Sequence, residues 1–196
     1  MSFYVFAWIA SVMYGVEVII GKLTSKHSIS NPWLFNFFWA LLVLFFSLPL
    51  AIINHVGLPK DWVSLLTASL FYALAGIFYV LPLYTLDVSV WSPMFSLRTP
   101  MSVLFSAWLL GEILTRQQYS LIGLIFIAGI LVTLDEKLKV RSFFRWPVAY
   151  ALTQMAILAL MGVYINKAIV TNGYWVVTLW MGILAQISYL ATIPLF

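Results

Sequence analysis

About seven long apolar stretches follow one another along this chain, joined by loops only a few residues long that hold most of its charge. With 64% hydrophobic residues, 8% charged and a mean hydropathy of +1.04, no soluble core of 196 residues covers its own surface, whereas lipid asks for an apolar outside. Crossing roughly 30 Å of hydrocarbon at about 1.5 Å per residue takes about 20 apolar residues in a helix. Runs of that length fall at approximately 3–21, 33–53, 63–84, 92–110, 117–134, 146–166 and 174–196, the fifth being apolar without interruption only over 121–134. Helices are required because lipid leaves the backbone groups of an open strand unsatisfied, and the period-two alternation of a membrane barrel is absent. The fold class is therefore an all-α polytopic transmembrane bundle of about seven helices.

Helix punctuation marks the same boundaries. Asn31-Pro32, Pro59 with Asp61, and Ser92-Pro93 each supply a cap or a first-turn proline, and Thr115-Arg116-Gln117-Gln118 has the spacing of a capping box. Trp33, Trp62, Trp91, Trp146 and Trp175 all stand at span starts, where an amphipathic ring rests at headgroup level. Without cysteine there is no disulfide frame and no thiolate metal site, and His27 and His55 lie in loops away from carboxylates at ligand spacing, so no metal or other cofactor is expected. An intramembrane enzyme would need a paired Asp, a Ser–His set or a zinc-binding cluster at membrane depth, and none is present. The net charge of +4 sits beside span ends, where anionic lipid rather than nucleic acid is the natural partner. If faces alternate after each span, Lys22, Lys26, Lys137, Lys139, Arg141 and Arg145 share one face, and Lys60, Arg116 and Lys167 the other. The positive-inside rule then puts the N-terminus outside.

A weak internal repeat appears at a shift of 145 residues, which sets Val18 on Val163, Lys22 on Lys167, Ala40 on Ala185 and Pro49 on Pro194. Five spans intervene, an odd number, so the second copy would enter the membrane upside down.

Ionised groups at membrane depth are the candidate functional residues, because an unpaired arginine there costs about 2.5–3.5 kcal/mol on insertion scales. Glu17 precedes Lys22 by five residues and Arg98 follows Pro93 by five, which sets both charges roughly 7–8 Å below one interface. They either face a shared aqueous cavity, with Glu17 binding a proton or a cationic solute in exchange with Arg98, or form a structural pair or snorkel separately. Arg98, Ser102 and Ser106 make a stripe at i, i+4 and i+8 on a span that contains Pro100, whose missing amide would kink the helix interior. The serines serve equally as small residues for close helix packing, with Ala107 and Gly111. Tyr14 and Ser11 share the Glu17 side of the first span, Gln154 and Asn166 lie in the sixth and Gln186 in the seventh, all able to bond a ligand or a neighbouring helix. Pro82 and Pro49 mark bends or helix exits, Glu112 at a helix end calls for Arg116 as its partner, and Asp87 is within reach of Lys22.

Tyr14-Gly15 with Lys22 closing the first span, then Ser96-Leu97-Arg98-Thr99-Pro100 through Leu109-Leu110-Gly111-Glu112, followed by Leu121-Ile122-Gly123 and Ala128-Gly129-Ile130, resemble the EamA-like family of the drug/metabolite transporter superfamily. The resemblance implies ten helices in two inverted five-helix repeats, with Leu-Gly-Glu ending each fourth helix, a glycine-containing fifth helix, and a structural or gating corner at Gly111 and Glu112. Lys22, Pro82 and Arg116 join these as structural or gating candidates. It makes residues 1–136 the first repeat, 137–145 a basic connecting loop and 146–196 the first two helices of a second repeat. Two departures stand out: the chain stops at Pro194-Leu195-Phe196 inside an apolar run, which reads as a truncation, and the family's first repeat starts in the cytoplasm, opposite to the charge count. The expected function is secondary transport of a small organic solute by alternating access in the plasma membrane. Lipid and a small-molecule substrate are the partners, with a homodimer or further C-terminal helices completing the bundle. A ligand-free membrane scaffold and a seven-helix receptor are the rivals, although no mid-span lysine in the seventh helix is placed to hold retinal.

Overall fold

The structure, a computed structural model, describes residues 3–87, 91, 94–111, 113–133 and 146–192. Among these residues there is no strand, and seven α-helices follow in order: α1 (Phe3–His27), α2 (Pro32–Ile53), α3 (Trp62–Thr85), α4 (Arg98–Leu110), α5 (Arg116–Thr133), α6 (Trp146–Asn172) and α7 (Tyr174–Thr192). Helices α1, α2, α3, α6 and α7 are long and apolar enough to cross a membrane. Helix α4 has 13 residues and is led in by a 3-10 turn at Phe95–Leu97, so it differs from the uninterrupted fourth span expected over 92–110. Pro100 is the reason to begin there: it falls in the first turn of α4, where a missing amide costs nothing, and not in a helix interior where it would kink the rod. Ser92, Pro93, the basic 137–145 segment, Glu112 and Pro194 lie outside the described residues.

The caps form where local chemistry asks for them. The Asn31 carboxamide oxygen accepts from the amides of Trp33 and Leu34, with Pro32 opening α2. Asp61 accepts from Val63 and Ser64 at the head of α3, and the Ser64 hydroxyl and amide hold its carboxyl below the usual carboxylate range, so the cap stays ionised until the pH falls through that lowered value. The Thr115 amide donates to Gln118 Oε1 at 2.7 Å while the Gln118 amide donates to Thr115 Oγ1, a reciprocal capping box opening α5.

Lipid supplies little hydrophobic drive between helices, so close approach must come from small residues and fitted rings. Helix α3 packs on α6 this way: Ala68 meets Ala168 in one core cluster, and Phe71 stacks on Tyr164 at 4.9 Å with the rings 8° from parallel. The two helices run antiparallel, since Ser64 touches Thr171 near one end and Phe78 meets Tyr150 near the other. Helix α2 crosses α7 with the same sense, Phe37 accepting from Gln186 while Leu44 lies beside Gly182. Ala40 and Ala185, equivalent under the 145-residue shift, share one buried cluster at that crossing. Lys22 and Lys167, also equivalent, have different surroundings, the first half-buried and bonded, the second exposed. The outside is apolar, with Trp8, Phe46 and Trp108 each about 70% exposed or more, as a lipid-facing surface requires. Trp91 departs from the expected headgroup belt, being fully buried, because its indole N–H finds the Gln154 side-chain oxygen at 3.1 Å.

The two ends of the bundle are tied separately. At one, Asn172 accepts from the Lys60 and Asp61 amides at 2.8 Å, joining the α2–α3 loop to the end of α6. At the other, Tyr84 donates its hydroxyl proton to the Ile29 carbonyl, and Lys22 Nζ donates to the carbonyls of Leu83 at 2.6 Å and Leu86 at 2.8 Å. That ammonium therefore closes the C-terminal end of α3, where the helix dipole is negative. Lys22→Met keeps the stem and removes the charge, and is expected to cost about 1–2 kcal/mol, read as a lowered melting temperature in detergent that Lys22→Arg partly restores.

Candidate functional site

A cavity of about 230 Å³ opens among six helices. Helix α1 contributes Tyr14 and Glu17, three residues apart and so on one face; α3 contributes Tyr72, Gly76 and Tyr79 at i, i+4 and i+7, with Ala75 alongside. Asn36, Trp39 and Ala40 enter from α2, Arg98 from the first turn of α4, Gln154, Leu158 and Met161 from α6, and Tyr189 from α7. At about 30 Å³ per water the space suits about seven waters or one small organic molecule, just under the range usual for drug-sized ligands.

Two opposite charges share this space. Glu17 is half-buried and acts electrostatically on the hydroxyls of Tyr14, Tyr72 and Tyr79; Arg98 is more exposed and acts on Tyr14 with the opposite sign. Among the described residues no hydrogen bond or ion pair within 4.0 Å joins the carboxylate to the guanidinium. An aromatic series backs them: Tyr14 meets Phe95 edge-on at 5.7 Å, Phe95 meets Trp91 at 5.1 Å, and Trp91 meets Tyr79 at 5.0 Å. Of these rings Trp91 belongs to, and Tyr79 and Phe95 border, a packed cluster with Val18, Phe35, Leu83 and Val148, on the side of the molecule tied by Lys22.

Two carboxamides on the wall have hydrogens to spare. Trp91 Nε1 donates only, so the Gln154 side chain must turn its oxygen to the indole, which leaves its NH2 without a partner although the residue is fully buried. Asn36, 4% exposed, likewise keeps Nδ2 unbonded, while Tyr189 engages its carboxamide. Gly76 makes room for that junction: a Cβ there would lie 2.1 Å from the Tyr189 hydroxyl and 3.1 Å from Asn36 Oδ1.

Of the residues singled out from sequence, Tyr14, Glu17, Arg98 and Gln154 line this one cavity. Ser102 does not; its hydroxyl faces Gly162 of α6, 3.8 Å from where a Cβ would stand, in a small-residue contact between α4 and α6. Pro100 is buried in the first turn of α4, away from the cavity lining. Pro82 is buried in the last turn of α3, Gly111 caps α4 with φ +69°, and Arg116 is the exposed first residue of α5. Ser11 bonds back to the Ala7 carbonyl, and Gln186 bonds Phe37. Asn36, Tyr72, Gly76 and Tyr189 escaped the sequence reading. A lone amide within Phe35-Asn36-Phe37 and the Tyr72, Gly76, Tyr79 spacing were visible signals, whereas Tyr189 reaches the site only through the α2–α7 crossing.

The family model described as the EamA-like transporter family matches residues 1–134. No curated protein and no solved structure matches the chain. The match covers the first five helices and with them the Glu17 and Arg98 walls of the cavity. A helical bundle with five helices long and apolar enough to cross a membrane, and a cavity lined by Glu17 and Arg98, is in keeping with it, and the chain belongs to the EamA-like transporter family, as a multi-pass integral membrane protein with a role in transport.

Proposed function

We propose that the chain is a secondary active transporter that carries a small organic solute through this cavity by alternating access. The observation that carries the reading is a pair of opposite charges lining one small cavity without bonding each other. Charges at membrane depth are costly unless something in the site uses them. In this reading Glu17 takes a proton or the cationic part of the solute and Arg98 supplies the counter-charge. A ligand-free scaffold would be better served by a closed bundle with the two groups paired. The residues after 145 act as the beginning of a second, inverted repeat, and the Ala40–Ala185 contact at the crossing of α2 and α7 is where a twofold axis in the membrane plane would bring equivalent positions together. The lysine and arginine distribution supports an N-terminus outside; a plasma-membrane location goes with the transport reading alone.

Because the chain has no cysteine, single cysteines at Ala75 and Leu158 report the cavity without background. In sealed vesicles a membrane-impermeant maleimide is expected to label both sites from either face, with the rates on the two faces shifting in opposite directions when a proton gradient is imposed. Labelling from a single face under every condition tried would rule out alternating access.

A further inference from the structure

Helix α1 is held to the rest of the bundle near one end. Residues 4–16 are all exposed, and Val18 and Gly21 are the only buried positions among its described residues. Both lie on the turn that meets α3. Val18 packs in the cluster that holds Leu83, and a Cβ at Gly21 would stand 3.7 Å from the Tyr79 hydroxyl and 4.0 Å from Leu83 Cδ2. The same cluster closes the cavity on the Lys22 side, since Trp39 and Tyr79 both line the cavity and pack against it. Parting α1 from α3 takes Val18 out of that closure.

What fastens the two helices is chemically unlike the packing beneath it. Helix α3 ends at Thr85 with Leu86 extended after it, so its last carbonyls find no helical amide. Lys22 Nζ donates to the carbonyls of Leu83, in the last turn, and of Leu86, just past it, while Tyr84 donates to Ile29 in the α1–α2 turn. Asp87 attracts the same ammonium and Lys26 repels it. Lys22 is only half-buried and stands near the end of its span, so its ammonium can exchange both carbonyls for water as the helices separate, leaving no charge stranded in lipid. The opposite end is built differently. There Asn172 bonds the Lys60 and Asp61 amides and the Asp61 carbonyl, beside a cluster of Leu65, Ala68, Ala168 and Val177 in which α1 has no part.

We propose that Lys22 is the latch of a gate between α1 and α3: when its ammonium leaves the Leu83 and Leu86 carbonyls, the last turns of α1 part from α3 and the cavity opens to the face that bears Lys22. The gate rests on the transport reading and deepens it by naming the contact that opens. Lys22 does not line the cavity and acts through the helix that carries Glu17, so it is a positioning residue.

The test reads one cavity cysteine, Leu158→Cys, in the full chain in sealed vesicles without solute, with an impermeant maleimide added to one face at a time. Lys22→Met is expected to speed labelling from the Lys22 face by about fivefold or more, without a matching rise from the opposite face, and Lys22→Arg to bring the rate back toward the parent value. Tyr84→Phe, which removes only the Ile29 bond, is expected to act in the same direction by about twofold, and it serves if Lys22→Met folds poorly. Gly21→Ala adds a methyl at ordinary contact distance from Phe35, Tyr79 and Leu83, so it is expected to slow labelling from the Lys22 face while raising the melting temperature. Equal acceleration from both faces would make Lys22 a purely structural tie and overturn the gate. So would unchanged rates from the Lys22 face in Lys22→Met and Tyr84→Phe, or faster labelling there in Gly21→Ala. A parent chain that labels from both faces with rates indifferent to Lys22 loses the gate and keeps alternating access; a parent that labels from one face only, and gains the Lys22 face in Lys22→Met, keeps the gate and loses alternating access.

Discussion

Glu17→Gln is expected to lower solute flux into proteoliposomes by roughly 10- to 100-fold while leaving the melting temperature unchanged. The substitution preserves shape and removes only the charge. A charge-assisted contact to the solute contributes about 1.5–3 kcal/mol, and each 1.4 kcal/mol is about tenfold in affinity. Stability is spared because, among the described residues, the carboxylate makes no hydrogen bond or ion pair that the fold depends on. Glu17→Asp, with its charge drawn back toward α1, is expected to fall between the two. If the role of Glu17 is to carry a proton, the glutamine variant also loses the dependence of flux on an imposed pH gradient. Full gradient-driven transport by Glu17→Gln would remove Glu17 from the coupling mechanism, and a fall in melting temperature matching that of Lys22→Met would recast it as a structural residue.

How far this site was legible in the sequence follows from what each signal depends on. Glu17 and Arg98 stand out because lipid makes a charge conspicuous wherever it lies, and a count of residues to the span ends already set them at one depth. Helix starts at Asn31, Asp61 and Thr115 were readable because a cap depends on three or four neighbouring residues. Pro100 and Trp91 were misread for the opposite reason. Hydropathy gives no sign that α4 starts at Arg98, so the proline was assigned to a helix interior, and a tryptophan at a span start has no local mark that separates a headgroup ring from one whose N–H is matched by Gln154 63 residues away. The spacing of Arg98, Ser102 and Ser106 marks one stripe along α4, yet that Ser102 meets α6 is a property of Gly162 on the other helix. Tyr189 reaches the cavity only because α2 and α7 cross at alanines, a fact held in the packing of two segments 145 residues apart.

That crossing gives the second large effect. Gly76→Ala is expected to destabilise the protein by about 3 kcal/mol, at the upper end of the cost of overpacking a filled interior. A methyl at Gly76 would stand 2.1 Å from the Tyr189 hydroxyl and 2.9 Å from its ring carbon, and neither can yield as the tip of a flexible side chain does. The ring is 3% exposed, clasped by Ala40, Ala73 and Ala185, and its hydroxyl lies 3.4 Å from the Tyr72 carbonyl. Tyr189→Phe alone loses only hydrogen bonding, about 1 kcal/mol. Combined with Gly76→Ala it takes away the worst overlap, so the double variant is expected to be more stable than Gly76→Ala by about 1 kcal/mol, a coupling of about 2 kcal/mol of the kind that touching residues show. The ring carbon remains at 2.9 Å, which is why rescue is partial. Additive losses in a denaturant or thermal cycle would mean that the two groups do not meet, and with that the α2–α3–α7 junction behind Asn36 would be wrongly drawn.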